Sequence, residues 1–167
     1  SSFPIKFEGD VMDFEGVFST KLSSQFSGLI GLNHKQQKAQ FSEKVSTDLM
    51  DYFVNVLYES EGFFEAQAGS RLSEHSTYGS HWTYHINPSL YFDFSSFDLR
   101  FHASLSTAFI APSLYKLFDT YSGNQTLKPE TNQSFEIGTS LFFKNGGQFQ
   151  LTYFNREHQN FVDYDMT

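Results

Sequence analysis

The sequence predicts an all-β protein, a segment of about eight strands from an antiparallel, up-and-down transmembrane β-barrel. Three observations predict it. Apolar and polar residues alternate with a period of two over long stretches, as they do where a sheet presents one face to an apolar medium and the other to a polar one. The stretches so marked exceed the roughly five or six residues usual in soluble sheets and match the about 9 to 11 that a tilted membrane-crossing strand needs. The connections between them alternate between tight and long, which sorts the turns to one side of the sheet and the loops to the other.

The elements follow in order. Met12, Phe14, Phe18 and Leu22 form the apolar row of a first strand over 9–22, and Phe26, Ile30 and Leu32 that of a second over 25–34. Tyr52, Val54, Val56 and Tyr58 mark a third over 48–59; side chains of this β-branched and aromatic kind fit a pleated surface. From 62 to 73 the even positions Phe64, Ala66, Ala68 and Leu72 oppose the odd positions Glu65, Gln67, Gly69, Arg71 and Ser73. Ile86, Leu90, Phe92 and Phe94 define a fifth strand over 83–94. The clearest alternation lies over 97–109, where Leu99, Phe101, Ala103, Leu105 and Phe109 oppose Asp98, Arg100, His102, Ser104 and Ser106. A seventh strand over 132–143 sets Phe135, Ile137, Leu141 and Phe143 against Ser134, Glu136, Gly138 and Ser140, and Phe149, Leu151 and Tyr153 mark an eighth over 147–160.

Tight links are expected at Ser23-Ser24, Ser60-Glu61, Ser95-Ser96 and Lys144-Asn145-Gly146, and long ones over 35–47, 74–82 and 110–131. Aromatic residues gather near the predicted strand ends, at Phe63, Phe64, Phe92, Phe94, Phe109, Phe142, Phe143, Tyr153 and Phe161. Rings there form the girdles that sit at the two membrane interfaces.

Composition narrows the function classes. Of the 167 residues 19% are aromatic, against 39% hydrophobic in all, so the apolar inventory leans on rings rather than on the aliphatic residues of an ordinary soluble core. No run approaches the roughly 18 consecutive apolar residues of a spanning helix, so a helical membrane protein is excluded. The net charge of -8 lacks the basic stripe that a phosphate backbone requires, so nucleic acid is not a partner. Without cysteine there is neither a disulfide framework nor a thiolate site. The first residues, Ser1 to Lys6, show no basic region followed by an apolar one. The chain is therefore expected either to be cytoplasmic or to be a mature or excised piece of something longer.

Residues from about Gly79 to Asp165 carry an ordered string of motifs. Ser106-Thr107-Ala108-Phe109-Ile110-Ala111-Pro112-Ser113-Leu114-Tyr115-Lys116-Leu117-Phe118 runs into Gly123-Asn124-Gln125-Thr126-Leu127-Lys128-Pro129-Glu130, and Ser134-Phe135-Glu136-Ile137-Gly138 follows. Ile86-Asn87-Pro88-Ser89-Leu90 precedes them, and Tyr153 to Arg156 with Phe161 to Asp165 closes the series. This string resembles a hallmark of the TonB-dependent outer-membrane receptors, most of all the vitamin B12 and siderophore type. Haem receptors of the family carry a basic residue where Ile110 stands, a proline where Gln125 stands and an iron-ligating histidine between; with no histidine from Ser113 to Gly123, haem is disfavoured.

The resemblance implies a location in the outer membrane of a Gram-negative bacterium and a 22-stranded barrel with a plug domain. It implies that residues 1–167 are part of that barrel, with the plug and the C-terminal strands absent. It implies a receptor and transporter, not an enzyme, that takes up a corrinoid or an iron-siderophore chelate by loop binding and plug-gated, energy-coupled passage. Implied partners are the TonB complex, through the missing plug segment, the small-molecule ligand, outer-membrane lipid and a surface lipoprotein; no cofactor is implied.

Candidate ligand-contacting residues on the long loops are Tyr78, His81, Trp82, Tyr115, Phe118, Tyr121, Asn124 and Gln125, because flat rings with amide edges suit a large, partly apolar ligand. The competing reading is that Phe109, Pro112, Leu114, Leu117 and Leu127 fold the loop onto the barrel rim without touching ligand. Glu65, Arg71, Arg100, His102 and Glu136 fall on the polar rows and are expected to face the lumen. A polar lumen needs such residues, and no nucleophile-elbow or zinc-protease string accompanies them, so catalytic residues are expected to be none. His81 and His85 lie about 13 Å apart along one strand face, too far to share an ion, so metal ligands too are expected to be none. Two other architectures compete: a stand-alone eight-stranded barrel with a structural or adhesive role, and a soluble β-sandwich.

Overall fold

The structure is a computed structural model and describes residues 8–160. Eight strands, β1 (Glu8–Lys21), β2 (Phe26–Gln40), β3 (Lys44–Glu59), β4 (Phe64–His75), β5 (Gly79–Asp93), β6 (Phe97–Ile110), β7 (Glu130–Phe143) and β8 (Gln148–Gln159), form one sheet. Each pairs antiparallel with its neighbours in the sequence, so the order in space is the order in the chain. A short helix, α1 (Leu114–Phe118), interrupts the β6–β7 connection.

Register fixes which side chains share a face. Tyr52 lies opposite Leu32 and Leu72, and Leu72 lies opposite Trp82, so the tyrosine and valine row of β3 continues into the apolar rows of β2, β4 and β5. Phe101, Phe135, Ile137, Leu151 and Tyr153 extend that face through β6, β7 and β8. On the other face Asp51 lies opposite Asn33 and Ser73, Arg100 opposite Tyr91 and Ser140, and His102 opposite Ser89 and Gly138.

Burial is inverted relative to a soluble domain. Buried polar residues, among them Thr47, Asp51, Ser73, Ser89, Ser134 and Ser140, all belong to the polar face, while Phe14, Phe18, Ile30, Ile86, Ile137 and Leu151 are exposed on the other. The buried hydrophobic residues among those described are Ala39, Leu114 and Leu117. A continuous exposed apolar face of this extent needs hydrocarbon against it. Among the described residues no second layer packs on the sheet, which sets aside the sandwich reading, since a sandwich buries the apolar faces of two sheets against each other.

Nor is the sheet a closed eight-stranded barrel. Strand β1 pairs only with β2 and β8 only with β7, and among the described residues no ladder joins the two edges. Closure is what removes the unpaired edges of a barrel wall, so this sheet is an open arc of wall.

The connections correct the expected loop lengths. Residues 35–40 and 44–47 are strand, leaving a turn of Phe41, Ser42 and Glu43; residues 74–75 and 79–82 are strand, leaving Ser76, Thr77 and Tyr78. Charged and polar residues at those strand ends read as loop, but backbone pairing continues past the apolar band, as in Gln37 with Thr47 and Glu74 with Ser80. Among the described residues the one long loop is 111–129.

At the opposite end the tight turns are held locally. The Ser23 hydroxyl accepts from the Gln25 and Phe26 amides at 3.2 and 3.1 Å, and the Ser60 hydroxyl from the Phe64 amide at 2.9 Å. Gly146 and Gly147 turn the last hairpin at φ of 93° and 94°, a region that disfavours side chains. Lys144 Nζ bonds Asp98 at 2.5 Å and meets Asp93 at 3.3 Å, tying this turn to the one before it; its hydrogen bond to Asp98 holds the ammonium above its usual range. Rings line the apolar face at this end, with centroids 4.8 Å apart for Phe26 and Tyr58, 6.0 Å for Tyr58 and Phe64, and 6.2 Å for Phe92 and Phe101. Tyr52, Trp82, Tyr84 and Tyr153 mark the other end of the band. Phe161 and the rest of the last motif lie outside the described residues.

Candidate functional site

Several polar side chains on the concave face bond one another across neighbouring strands, which spares the about 1–3 kcal/mol that a buried unpaired polar group loses. Ser73 donates to Asp51 at 2.5 Å, Gln67 to Asn55 at 3.2 Å, Ser104 to Asn87 at 2.8 Å and Tyr91 to Glu65 at 3.0 Å. Arg100 donates to Ser89 at 3.1 Å with its guanidinium 5.2 Å from the centre of the Tyr91 ring. Asn55 contacts His85 Nε2 at 2.9 Å through its amide nitrogen. Glu65, Arg71, Arg100, His102 and Glu136 all lie in this row by register. Opposite two of the histidines stand glycines: a Cβ at Gly69 would come within 2.5 Å of His85 and one at Gly138 within 2.6 Å of His102.

The ladder between β5 and β6 opens towards the long-loop end. Pairing runs from Asp93–Asp98 to Ser89–His102, skips Asn87 and Pro88, resumes at Ile86–Leu105 and ends at His85–Ser106. Proline has no N–H to donate, which accounts for the interruption around Pro88. Beyond His85 the strands are linked by the Tyr84 amide donating to Thr107 Oγ1 at 3.0 Å, and the rings of His81 and Phe109 stack at 3.9 Å between centroids. A cavity of about 470 Å³ lies here, lined on β3 to β6 by Asp51, Phe53, Asn55, Arg71, His85 and Ser106, among others.

The long loop leaves from this cavity, which Ala111 helps to line, and reaches back to the neighbouring turns. Ser113 caps α1, accepting from the Lys116 amide at 3.3 Å, and Leu114 and Leu117 are buried. The Phe118 ring lies 6.4 Å from that of Phe41 in the β2–β3 turn, and Tyr78 in the β4–β5 turn donates to the Leu127 carbonyl at 3.2 Å. Lys116 meets Glu130 at 3.6 Å. Within the loop Asp119 accepts from the Ser122 hydroxyl at 2.8 Å, the Ser122 amide at 2.9 Å and the Tyr121 amide at 3.1 Å; the Ser122 hydroxyl above all holds its carboxyl below the ordinary value of 3.8. Asn124 Oδ1 accepts from the amide and hydroxyl of Thr126 at 2.9 and 2.7 Å.

These contacts sort the candidate ligand residues. Tyr78, Phe118 and Asn124 spend their polar or aromatic groups on holding the loop, and His81, a strand residue rather than a loop residue, packs on Phe109. Trp82 is also in β5 and follows the register of Leu72 onto the apolar face, pointing away from the mouth. Tyr115, Tyr121 and Gln125 are exposed on the loop. The cavity residues Asp51, Phe53, Asn55 and His85 were not singled out as ligand contacts from the sequence. Their signal was present in β3, where polar residues at 51 and 55 interrupt the gaps of the tyrosine and valine row.

A single sheet, apolar outside, polar and cross-linked inside, with one ordered loop folded over its mouth, is the wall of a transmembrane β-barrel. The chain belongs to the TonB dependent receptor-like β-barrel family, whose sequence profile matches residues 9–167. It is 30% identical to the vitamin B12 transporter BtuB of Vibrio vulnificus over 112 residues, 65% of this chain and 17% of that protein. It is 32% identical to the vitamin B12 transporter BtuB of Vibrio cholerae over 101 residues. Its fold is similar to that of the siderophore receptor PirA from Pseudomonas aeruginosa, with a TM-score of 0.79 and 23% identity over 91% of this chain and 32% of that one. A ferric enterobactin receptor from the same organism aligns with a TM-score of 0.72 at 19% identity, over 92% of this chain and 27% of that one. The chain thus spans about a sixth of the curated relatives and a third or less of the solved structures.

Proposed function

We propose that residues 1–167 form part of the barrel of an outer-membrane receptor that imports a scarce nutrient, a cobalamin-like corrinoid or an iron-siderophore chelate. The observation that carries this reading is the loop 111–129, fastened by Tyr78 at the end of the sheet where a cavity opens, in a wall whose outer face is apolar. The geometry supports capture and passage rather than bond chemistry. Ligand meets the exposed Tyr115, Tyr121 and Gln125 at the mouth, then the polar groups of the concave face below. Several of those side chains already bond a neighbour, so at those positions a ligand exchanges one set of hydrogen bonds for another as it descends. In this reading the strands absent from this sheet close the wall, a plug domain fills the lumen, and a segment of the plug contacts the TonB complex that supplies the energy. Outer-membrane lipid covers the apolar face, and a surface lipoprotein is a further partner.

Uptake in the native cell tests the reading. Deleting the gene is expected to abolish accumulation of radiolabelled cyanocobalamin or of a ferric siderophore, and deleting the TonB gene to abolish the same uptake. The denatured mass of the product in the outer-membrane fraction is expected to be several times 19.2 kDa. Unchanged uptake of both ligand classes, or a product of 19.2 kDa, would overturn it.

A further inference from the structure

We infer that Arg71 is the centre of an anion subsite on the barrel wall, a place where the negatively charged oxygens of the cargo are held beneath the mouth loop. The inference rests on the uptake reading and adds a ligand chemistry to it.

Arg71 projects from β4 into the 470 Å³ cavity. Its guanidinium sits over the Phe53 ring, 5.2 Å from its centre, a contact that leaves the N–H donors at its edge free of the ring. Its ion-pair partner is Asp51 Oδ2, 3.7 Å from Nη1, beyond hydrogen-bond distance. Asp51 is instead engaged by Ser73, and its side chain is 7% exposed where that of Arg71 is 49% exposed. What the cavity displays is therefore the positive end of the pair, with the carboxylate set behind it. The other arginines of the concave face are used differently: Arg100 donates to Ser89 and Arg156 to Ser134.

The neighbouring groups suit an oxyanion. With Asn55 Oδ1 accepting from Gln67, the Asn55 amide nitrogen donates to His85 Nε2, so a neutral His85 carries its proton on Nδ1 and is a donor. Ser106 lies opposite His85 at the point where the β5–β6 ladder ends. A planar guanidinium presents two parallel N–H donors, the geometry that matches a carboxylate, a catecholate pair or a phosphate.

The test uses the full-length receptor purified in detergent, with two probes of different anionic chemistry: ferric enterobactin, which offers catecholate oxygens, and cyanocobalamin, which offers a phosphodiester. Wild-type receptor is expected to bind one of the two, and Arg71→Gln to bind that probe about tenfold or more weakly, as loss of a charge-assisted contact implies. Arg71→Lys, which keeps the charge but not the fork, is expected to fall between them, and it carries the test if Arg71→Gln does not fold. Equal affinity in wild type and Arg71→Gln would overturn the subsite and leave the uptake reading standing. A lowered unfolding temperature with unchanged affinity would overturn it too, assigning Arg71 to bracing the wall or the lumen filling. Binding of neither probe, together with unchanged uptake in the gene deletion, would overturn both.

Discussion

Gly138 shows how closely single residues are specified on the inner face. A Cβ there would lie 2.8 Å from the Leu151 carbonyl oxygen as well as against the His102 ring, and the backbone atom cannot swing aside. Gly138→Ala in the receptor is expected to cost about 1–3 kcal/mol, the range for forcing atoms into a packed site, read as a lower urea midpoint in lipid vesicles. An unchanged midpoint would mean that His102 and β8 adapt freely. Tyr78 makes a second case. Burial raises its hydroxyl above the ordinary tyrosine range, so it stays a donor to the Leu127 carbonyl under all physiological conditions. Tyr78→Phe removes that bond, worth about 0.5–1.5 kcal/mol. Faster proteolytic cleavage within 111–129 is the expected result, and wild-type resistance would show that Phe118 and Lys116 hold the loop without it. The identity of these residues was legible in the sequence but their partners were not, because Tyr78 and Leu127 are brought together by the sheet and not by any local spacing.

At the scale of elements, the strands were legible and the ends of the strands were not. The period of two in β6 and β7 gave faces that the register reproduces, since each step along a strand turns the side chain over. In β2 and β3 the apolar row stops at Leu32 and starts again near Met50, yet pairing continues from Lys35–Leu49 to Gln40–Lys44. Backbone hydrogen bonds do not require apolar side chains, so hydropathy marks the band that meets hydrocarbon rather than the length of the strand. The helix α1 was missed for a related reason: five residues are too short for a helical period, and α1 owes its stability to Leu114 and Leu117 packing and to the Ser113 cap. The loop that contains it has a pH dependence of definite sign. Because the folded Asp119 carboxyl is held below 3.8, its contribution to loop order is complete above that value and is lost as pH falls through the lowered one. Loop protection in hydrogen exchange is therefore expected to be the same at pH 7 and pH 5 and to decline only in stronger acid; a decline between pH 7 and pH 5 would remove Asp119 as its cause.

The whole molecule is a boundary between two media, and its stability depends on which medium each face meets. Ile137 and Glu136 are adjacent in β7 and belong to opposite faces. Ile137→Arg is expected to destabilise the receptor in vesicles by up to about 2–4 kcal/mol, the range for a cation near the membrane midplane, whereas Glu136→Gln should change stability by less than about 1 kcal/mol. Equal effects at the two positions would reject the assignment of faces. By itself the sequence determined the class of fold, the order of the strands and the two faces, because alternation is a local property that each strand carries in its own residues. The motifs from Gly79 onwards also pointed to the receptor family before any register was known. Only the tertiary structure decided that the sheet is an open arc and not a closed small barrel, since closure depends on whether β1 and β8 meet, far apart in the chain. It alone decided that the mouth loop is fastened at Phe41 and Tyr78, and that Arg71, Asp51 and His85 share one cavity. Those are contacts between strands, set by register and by the gap where β5 and β6 part, and no spacing along a single strand encodes them.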